Sequence, residues 1–226
     1  MQFNYDNLEA HSIKGMRFYE THNKKYYPSI TTVLGSTIPE EKEKALKNWQ
    51  NSLGMSKAQQ VAKQAADKGT AVHLLIERYL KKEDLIQKDE KFEPEQINLF
   101  NALKLKLNKI NQIWGQEVAL YSDLLEIAGR CDCIGVYKGI PSIIDFKTSG
   151  RIKSEKDIAD YKLQLCAYAI MHNEMYDTDI KHGVILMTSQ TGFPQEFNVD
   201  LDDYAEELVS RINLFYDQLD SKIEGN

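Results

Sequence analysis

The segment Ser142-Ile-Ile-Asp145-Phe-Lys147-Thr148 decides how this chain is read. Side chains of an extended strand alternate, so Asp145 and Lys147 fall on one face, an acid and an amine sharing a site. Taken alone, Asp-x-Lys is more often a structural ion pair, because the tripeptide is common and surface ion pairs are ordinary. Thirteen residues earlier, Asp132 lies inside Ile127-Ala-Gly-Arg-Cys-Asp-Cys-Ile-Gly-Val136, a strand pattern whose apolar neighbours make an acid costly without a partner. A hairpin between the two strands would bring the two aspartates together. Converging carboxylates repel unless a cation separates them, and hard oxygen ligands suit Mg²⁺ or Mn²⁺ better than zinc.

Outward from this pair, residues 117–121, 127–137 and 142–147 read as an antiparallel meander, followed by a helix over 156–173, strands at 182–188 and 195–199, and a terminal amphipathic helix. In that last helix Tyr204, Leu208, Ile212, Phe215 and Leu219 form the apolar stripe. Upstream, residues 13–34 suggest short strands around Pro28, with Ser29 or Thr31 opening a helical turn. Helices are expected over 39–49 and 56–82, separated near Gly54, and over 94–114, where Ile97, Phe100, Leu103, Leu107, Ile110 and Trp114 keep helical spacing. No repeat and no Gly/Ser/Pro-rich linker divides the 226 residues, so a single α/β domain is expected.

Two further pairs have spacing that places them on shared helix faces. Gly69, His73 and Glu77 are four residues apart in turn, the glycine leaving room for a ligand backbone. His73 suits a metal or a phosphate, or simply a core or surface position, and Glu77 is also readable as a solvated charge. Gln164 and Tyr168 share a face of the helix over 156–173. Glu117 opens a strand, either as an auxiliary ligand or as an exposed edge acid.

Net charge is −6, but unevenly spread: residues 11–63 carry nine Lys/Arg against four Asp/Glu, whereas 196–226 carry nine acids against two bases. The basic N-terminal part is the expected place for nucleic acid. Three cysteines with no Cys-x-x-Cys give neither a disulfide framework nor a zinc ribbon and suit a reducing compartment. No apolar run reaches the roughly 18 residues of a membrane span, and the first residues have neither a basic nor an apolar leader pattern. No Gly-x-x-x-x-Gly-Lys-Ser/Thr motif is present to drive strand separation.

In this order and at these intervals, Gly69 with His73, Asp132, Asp145 with Lys147, and Gln164 with Tyr168 resemble the PD-(D/E)XK nuclease superfamily, in particular its RecB-type branch. Tyr27-Pro-Ser-Ile-Thr-Thr-Val-Leu34, Ile38-Pro-Glu-Glu41 and Ile144-Asp-Phe-Lys-Thr-Ser149 are similar to the mitochondrial genome maintenance exonuclease group and its phage relatives. The resemblance covers roughly residues 27–190 and implies a restriction-endonuclease-like core, a central mixed sheet flanked by helices, with an N-terminal helical lobe. It divides the single nuclease domain into a DNA-contacting lobe (1–60) and a catalytic core (61–226).

By the same resemblance, Asp132, Asp145, the carbonyl of Phe146 and His73 would hold one or two Mg²⁺ or Mn²⁺, and Lys147 would orient or activate water. Glu77, Glu117, Gln164 and Tyr168 would be auxiliary. Lys24, Lys25, Tyr26, Tyr27, Ser29, Lys47, Trp49, Gly69, Thr148 and Ser149 would contact DNA. The branch members that carry an iron-sulfur cluster use four cysteines around the domain; Cys131 and Cys133 instead flank Asp132 within a strand, so no cluster is expected. The implied activity is a metal-dependent DNA exonuclease preferring single-stranded ends. It would act in a bacterial or phage-infected cytoplasm, without a membrane, beside a separate helicase or single-strand-binding partner. A structure-specific or flap endonuclease, and a non-catalytic nucleic-acid-binding module, are the alternatives.

Overall fold

The computed structural model describes residues 3–224, with side chains as far as residue 221. Its centre is a five-stranded mixed sheet in the order β4-β5-β6-β7-β8. β4 (Ile110–Ser122), β5 (Ile127–Tyr137) and β6 (Ile140–Ser149) form the antiparallel meander expected from the sequence. Helix α5 (Ala159–Tyr176) then carries the chain back, so that β7 (His182–Ser189) runs parallel to β6, and β8 (Pro194–Asp200) returns antiparallel at the edge. The unbroken apolar run of β7 follows from burial on both faces: Ile185 and Met187 join one core cluster, Val184 and Leu186 the other.

Helices cover both faces of the sheet. On one side Val72, Leu75 and Ile76 of α3 (Met55–Lys81) and Leu99, Phe100, Leu103 and Leu107 of α4 (Pro94–Leu107) pack with Ile144, Phe146 and Leu186. On the other, α5 and α6 (Ala205–Glu224) pack with Ile30, Val33 and Leu34 of α1 (Ile30–Ser36) against Ile143 and Ile185. α5 is buried around most of its circumference because α6 lies outside it, which explains why its apolar residues follow no single stripe.

The helix expected over 94–114 stops at Leu107. The backbone N–H of Asn108 closes it on Lys104, and Ile110 and Trp114 belong to β4. Two register shifts, between Ile110 and Gln112 and between Ile113 and Gly115, interrupt the alternation there, so a strand imitates helical spacing.

The N-terminal part begins with a separate antiparallel sheet, β1 (Glu9–Ile13), β2 (Met16–Glu20) and β3 (Tyr26–Pro28). Ser29 then caps α1, its hydroxyl accepting from the Thr32 N–H at 3.1 Å. α2 (Glu40–Leu53) buries no side chain, and Gly54, with φ +79°, turns the chain into the 27-residue α3. Residue 60 lies inside this one continuous helix. Between Ser36 and Val72 the chain therefore passes from one face of the sheet to the other. Lys42 on α2 is tied to Asp160 of α5 (2.9 Å), and a Cβ on Gly69 of α3 would lie 3.5 Å from the Thr148 hydroxyl.

At the far edge, Glu196 of β8 pairs with Lys106 (3.1 Å) and Lys138 while its side chain is only 10% exposed. Burial opposes its charge, but the lysines prevail and hold its carboxyl at about 2 instead of 4.5. Because the folded value is the depressed one, the stabilisation is complete above the unfolded value and is lost as pH falls through about 2. Glu196→Gln should therefore lower stability at pH 7 by up to about 3 kcal/mol. In urea titrations the gap from wild type should close as the pH is taken from 5 towards 2; a pH-independent gap would show that the charge is not responsible.

Candidate active site

β5 and β6 pair from Tyr137↔Ile140 as far as Cys133↔Ile144 and there the ladder ends. Asp132 takes its place, its Oδ2 accepting the Phe146 N–H at 2.9 Å. His73, on the inner face of α3, donates from Nε2 to the Phe146 carbonyl at 2.7 Å, since a carbonyl can only accept. In the neutral ring the lone pair is then on Nδ1, which lies 3.7 Å from Asp132 Oδ2. Metal-binding histidines are commonly oriented by such a bond from the opposite ring nitrogen.

Glu117 completes the group. Its neighbours pair as Gln116↔Cys133 and Val118↔Cys131, which sets it opposite Asp132, and ligand atoms of His73, Glu117 and Asp132 all lie within 4.8 Å of one another. Burial, and then Asp132, raise the Glu117 carboxyl above the usual range. Its backbone has φ +51° in the middle of a strand, a conformation that costs a non-glycine residue about 1–3 kcal/mol and that collects at functional positions. The edge-acid reading of Glu117 does not describe this residue.

Asp145 is 1% exposed and sits against the Lys147 ammonium, yet neither of its oxygens receives a well-directed hydrogen bond. Burial raises its carboxyl to about 6, Lys147 acting against this and Asp132 with it. For Lys147 burial works against the ammonium, but Asp145 and Asp132 outweigh it and raise the amine above its ordinary value. Its ammonium also lies 5.0 Å from the centre of the Tyr161 ring. Asp145 is thus turned to Lys147 and stands outside the His73–Glu117–Asp132 trio, while the Phe146 carbonyl is engaged by His73.

The His73–Glu117–Asp132 trio borders a cleft of about 550 Å³ whose lining also includes Gly69, Glu77, Gln164 and Tyr168, whereas Asp145 and Lys147 are not among its lining residues. Gln164 donates to the Tyr168 hydroxyl at 3.0 Å. Gly129 makes room for that ring, since a Cβ there would lie 2.7 Å from Tyr168 Cε1. Glu77 is paired with Lys81. Cys131 and Cys133 are free and buried, one in each core cluster.

The expected DNA contacts divide. Ser29 and Gly69 line the cleft, and Thr148 and Ser149 line an adjoining groove of about 400 Å³. Tyr27 is 4% exposed and donates to Asp123 at 2.6 Å, so it offers no face to a base. Lys24, Lys25 and Lys47 are paired with Glu20, Asp123 and Glu43, and with Tyr26 and Trp49 they lie outside the cleft lining. Sequence reading passed over two cleft arginines, Arg17 and Arg130. Strand alternation from Asp132 reaches Arg130, whereas no local pattern marks Arg17.

A sequence profile described as the PD-(D/E)XK nuclease superfamily matches residues 48–212, and so takes in His73, Glu117, Asp132, Asp145, Lys147, Gln164 and Tyr168. The chain belongs to the PD-(D/E)XK nuclease superfamily. It is 26% identical over 174 residues to mitochondrial genome maintenance exonuclease 1 of Mus musculus, and 29% identical over 175 residues to that of Xenopus tropicalis. Each alignment takes in 74% of this chain, and the chain spans about half the length of these relatives (51% and 50%). Among solved structures, a protein from Eubacterium rectale aligns over 65% of this chain and 64% of its own, at 10% identity and a TM-score of 0.47. Among the described residues no helix is long and apolar enough to cross a membrane.

Proposed function

We propose that this superfamily member is a metal-dependent DNA exonuclease that hydrolyses phosphodiester bonds from single-stranded ends. The observation that carries the reading is the convergence of His73, Glu117 and Asp132 beside the buried Asp145–Lys147 pair, where β5 and β6 part. Two carboxylates and an imidazole lone pair this close suit Mg²⁺ or Mn²⁺, and Asp145 has oxygens without directed partners. Asp132, Glu117 and His73 Nδ1 would hold the ion, with Asp145 beside them. When bound, it supplies positive charge to the phosphate oxygens as negative charge develops on them.

The chain's own groups do the rest. Lys147, kept as an ammonium by Asp145 and Asp132, donates hydrogen bonds to water or phosphate and so orients the attack. Asp132 and His73 hold the peptide at Phe146 from both sides, through its N–H and its carbonyl, which fixes the strand between Asp145 and Lys147. Gln164 and Tyr168 position the substrate strand across the floor of the cleft. With no nucleotide-driven motor motif in the sequence, strand separation falls to a helicase or single-strand-binding partner. Three free cysteines suit a reducing bacterial or phage-infected cytoplasm.

The preference for ends rests on the path of α2 and α3. That segment starts beside Asp160 of α5 and returns beside Thr148, one position on either side of Lys147 and its neighbour Tyr161. A covalent arch over the site admits a free end more readily than a closed strand. An end-labelled linear single strand should be degraded in Mg²⁺, remain intact in EDTA, and be degraded again when Mg²⁺ or Mn²⁺ is returned. Undiminished cleavage in chelator would exclude the mechanism.

A further inference from the structure

The cleft does not end at the carboxylates. A second groove of about 560 Å³ adjoins it and shares Arg17 and Thr31 with it, continuing over Ser12, Gly15, Thr32, Gly35 and Ser36 between β1, β2 and α1. Of the five arginines in the chain, four are engaged: Arg78 with Glu90, Arg151 with Asp157, Arg211 with Asp160, and Arg130 with the Glu117 carbonyl. The Arg17 guanidinium has neither an ion pair nor a side-chain hydrogen bond among the described residues, in a chain of net charge −6. Its backbone, by contrast, is pinned. The Arg17 N–H donates to the Thr32 hydroxyl at 3.1 Å, and the Arg17 carbonyl accepts from the Ser29 N–H at 2.8 Å and from the Thr32 hydroxyl at 3.3 Å. A free cation is thereby presented from a fixed base at the junction of two cavities.

A strand entering the cleft meets Asp132 and Glu117, charges of its own sign. A bound ion offsets this at one phosphate only, and the next phosphates need other partners. We propose that Arg17 and the hydroxyl-lined groove beyond it form a second subsite, which takes the backbone phosphates of the DNA strand next to the one being cut. The proposal rests on the nuclease reading and deepens it. Arg17 is the main contact, a guanidinium that reaches two phosphate oxygens at once, with Ser12, Thr31 and Ser36 as neutral donors. The groove reads no sequence, because its donors meet phosphate and not base edges.

The test is binding of a short oligothymidylate in EDTA, where hydrolysis is silent, by wild type, Arg17→Ala, Arg17→Lys and Gly35→Glu. Gly35 is exposed, and a side chain there meets nothing within 4 Å of its Cβ, so that variant places a negative charge in the groove without disturbing the fold. Arg17→Ala should weaken binding about tenfold and flatten the salt dependence by a slope of about 0.7, one single-strand phosphate contact. Arg17→Lys should keep the slope, and Gly35→Glu should weaken binding as Arg17→Ala does. Neutral methylphosphonate linkages placed one at a time should reveal one position that costs wild type affinity and costs Arg17→Ala nothing. Wild-type affinity and slope in both Arg17→Ala and Gly35→Glu, with Asp145→Asn still inactive, would overturn the subsite and leave the nuclease reading standing. A wild-type protein that neither binds nor cuts the strand would remove both.

Discussion

Asp145→Asn should lower hydrolysis of a single strand at least ~100-fold while metal-free DNA binding survives, and Lys147→Ala should do the same. Asparagine keeps the shape of the side chain and removes the charge, at a position that is 1% exposed and crowded by Asp132. A structural ion pair and a catalytic pair differ in their response to its removal. If the pair only held β6 in place, the loss would appear in thermal unfolding and in DNA binding together, and activity would fall no further than the folded fraction. If it acts on the reaction, the asparagine variant stays folded and bound but slow. The double variant should then be no slower than the worse single one, because the two groups work as a unit. Lys147→Ala leaves Asp145 buried without its cation, so its melting temperature should fall even though Asp145→Asn retains its own. Wild-type turnover in either single variant would remove both residues from the mechanism.

A closed single-stranded circle should survive conditions that consume the same sequence as a linear strand, and a blunt duplex should resist. The expectation comes from connectivity. α1 belongs to the core on one face of the sheet and the second half of α3 to the core on the other, and between them α2 and the first half of α3 run from Asp160 of α5 to Thr148 at the C-terminal end of β6, next to Lys147. α2 buries no side chain, as befits a segment spanning a gap. Lengthening the turn at Gly54 with a flexible Gly/Ser insertion should enlarge the opening without touching the carboxylates. Equal cleavage of circle and line by wild type would defeat the threading account and favour an endonuclease acting through the same chemistry.

How far the sequence was legible depended on the range of the interaction. β5 was bounded at Ile127 and Tyr137 because its alternation is local and its ends are marked by turn residues. That Asp145 and Lys147 share a face, and that Asp132 needs a partner, is legible because period-two geometry and the burial cost of an acid are both local arguments. Glu117 was readable only as an alternative, since its role depends on which residue of β5 stands opposite. The basic N-terminal stretch shows what composition leaves out. Counting charges cannot reveal that Lys25 is paired with Asp123, or Lys42 with Asp160, partners about a hundred residues away in the chain. Arg17 carries the same formal charge as these lysines and differs from them only in what the fold leaves unpaired.

All of this depends on His73, Glu117 and Asp132 holding a divalent ion. Calorimetric titration of Mn²⁺ into the EDTA-treated and dialysed protein, without DNA, tests that claim most directly. Wild type should bind Mn²⁺ with defined stoichiometry. Asp132→Asn and Glu117→Gln should each bind it at least ~10-fold more weakly, while Glu77→Gln, altered at a residue paired with Lys81, should bind as wild type does. Equal Mn²⁺ binding by wild type, Asp132→Asn and Glu117→Gln would contradict the account.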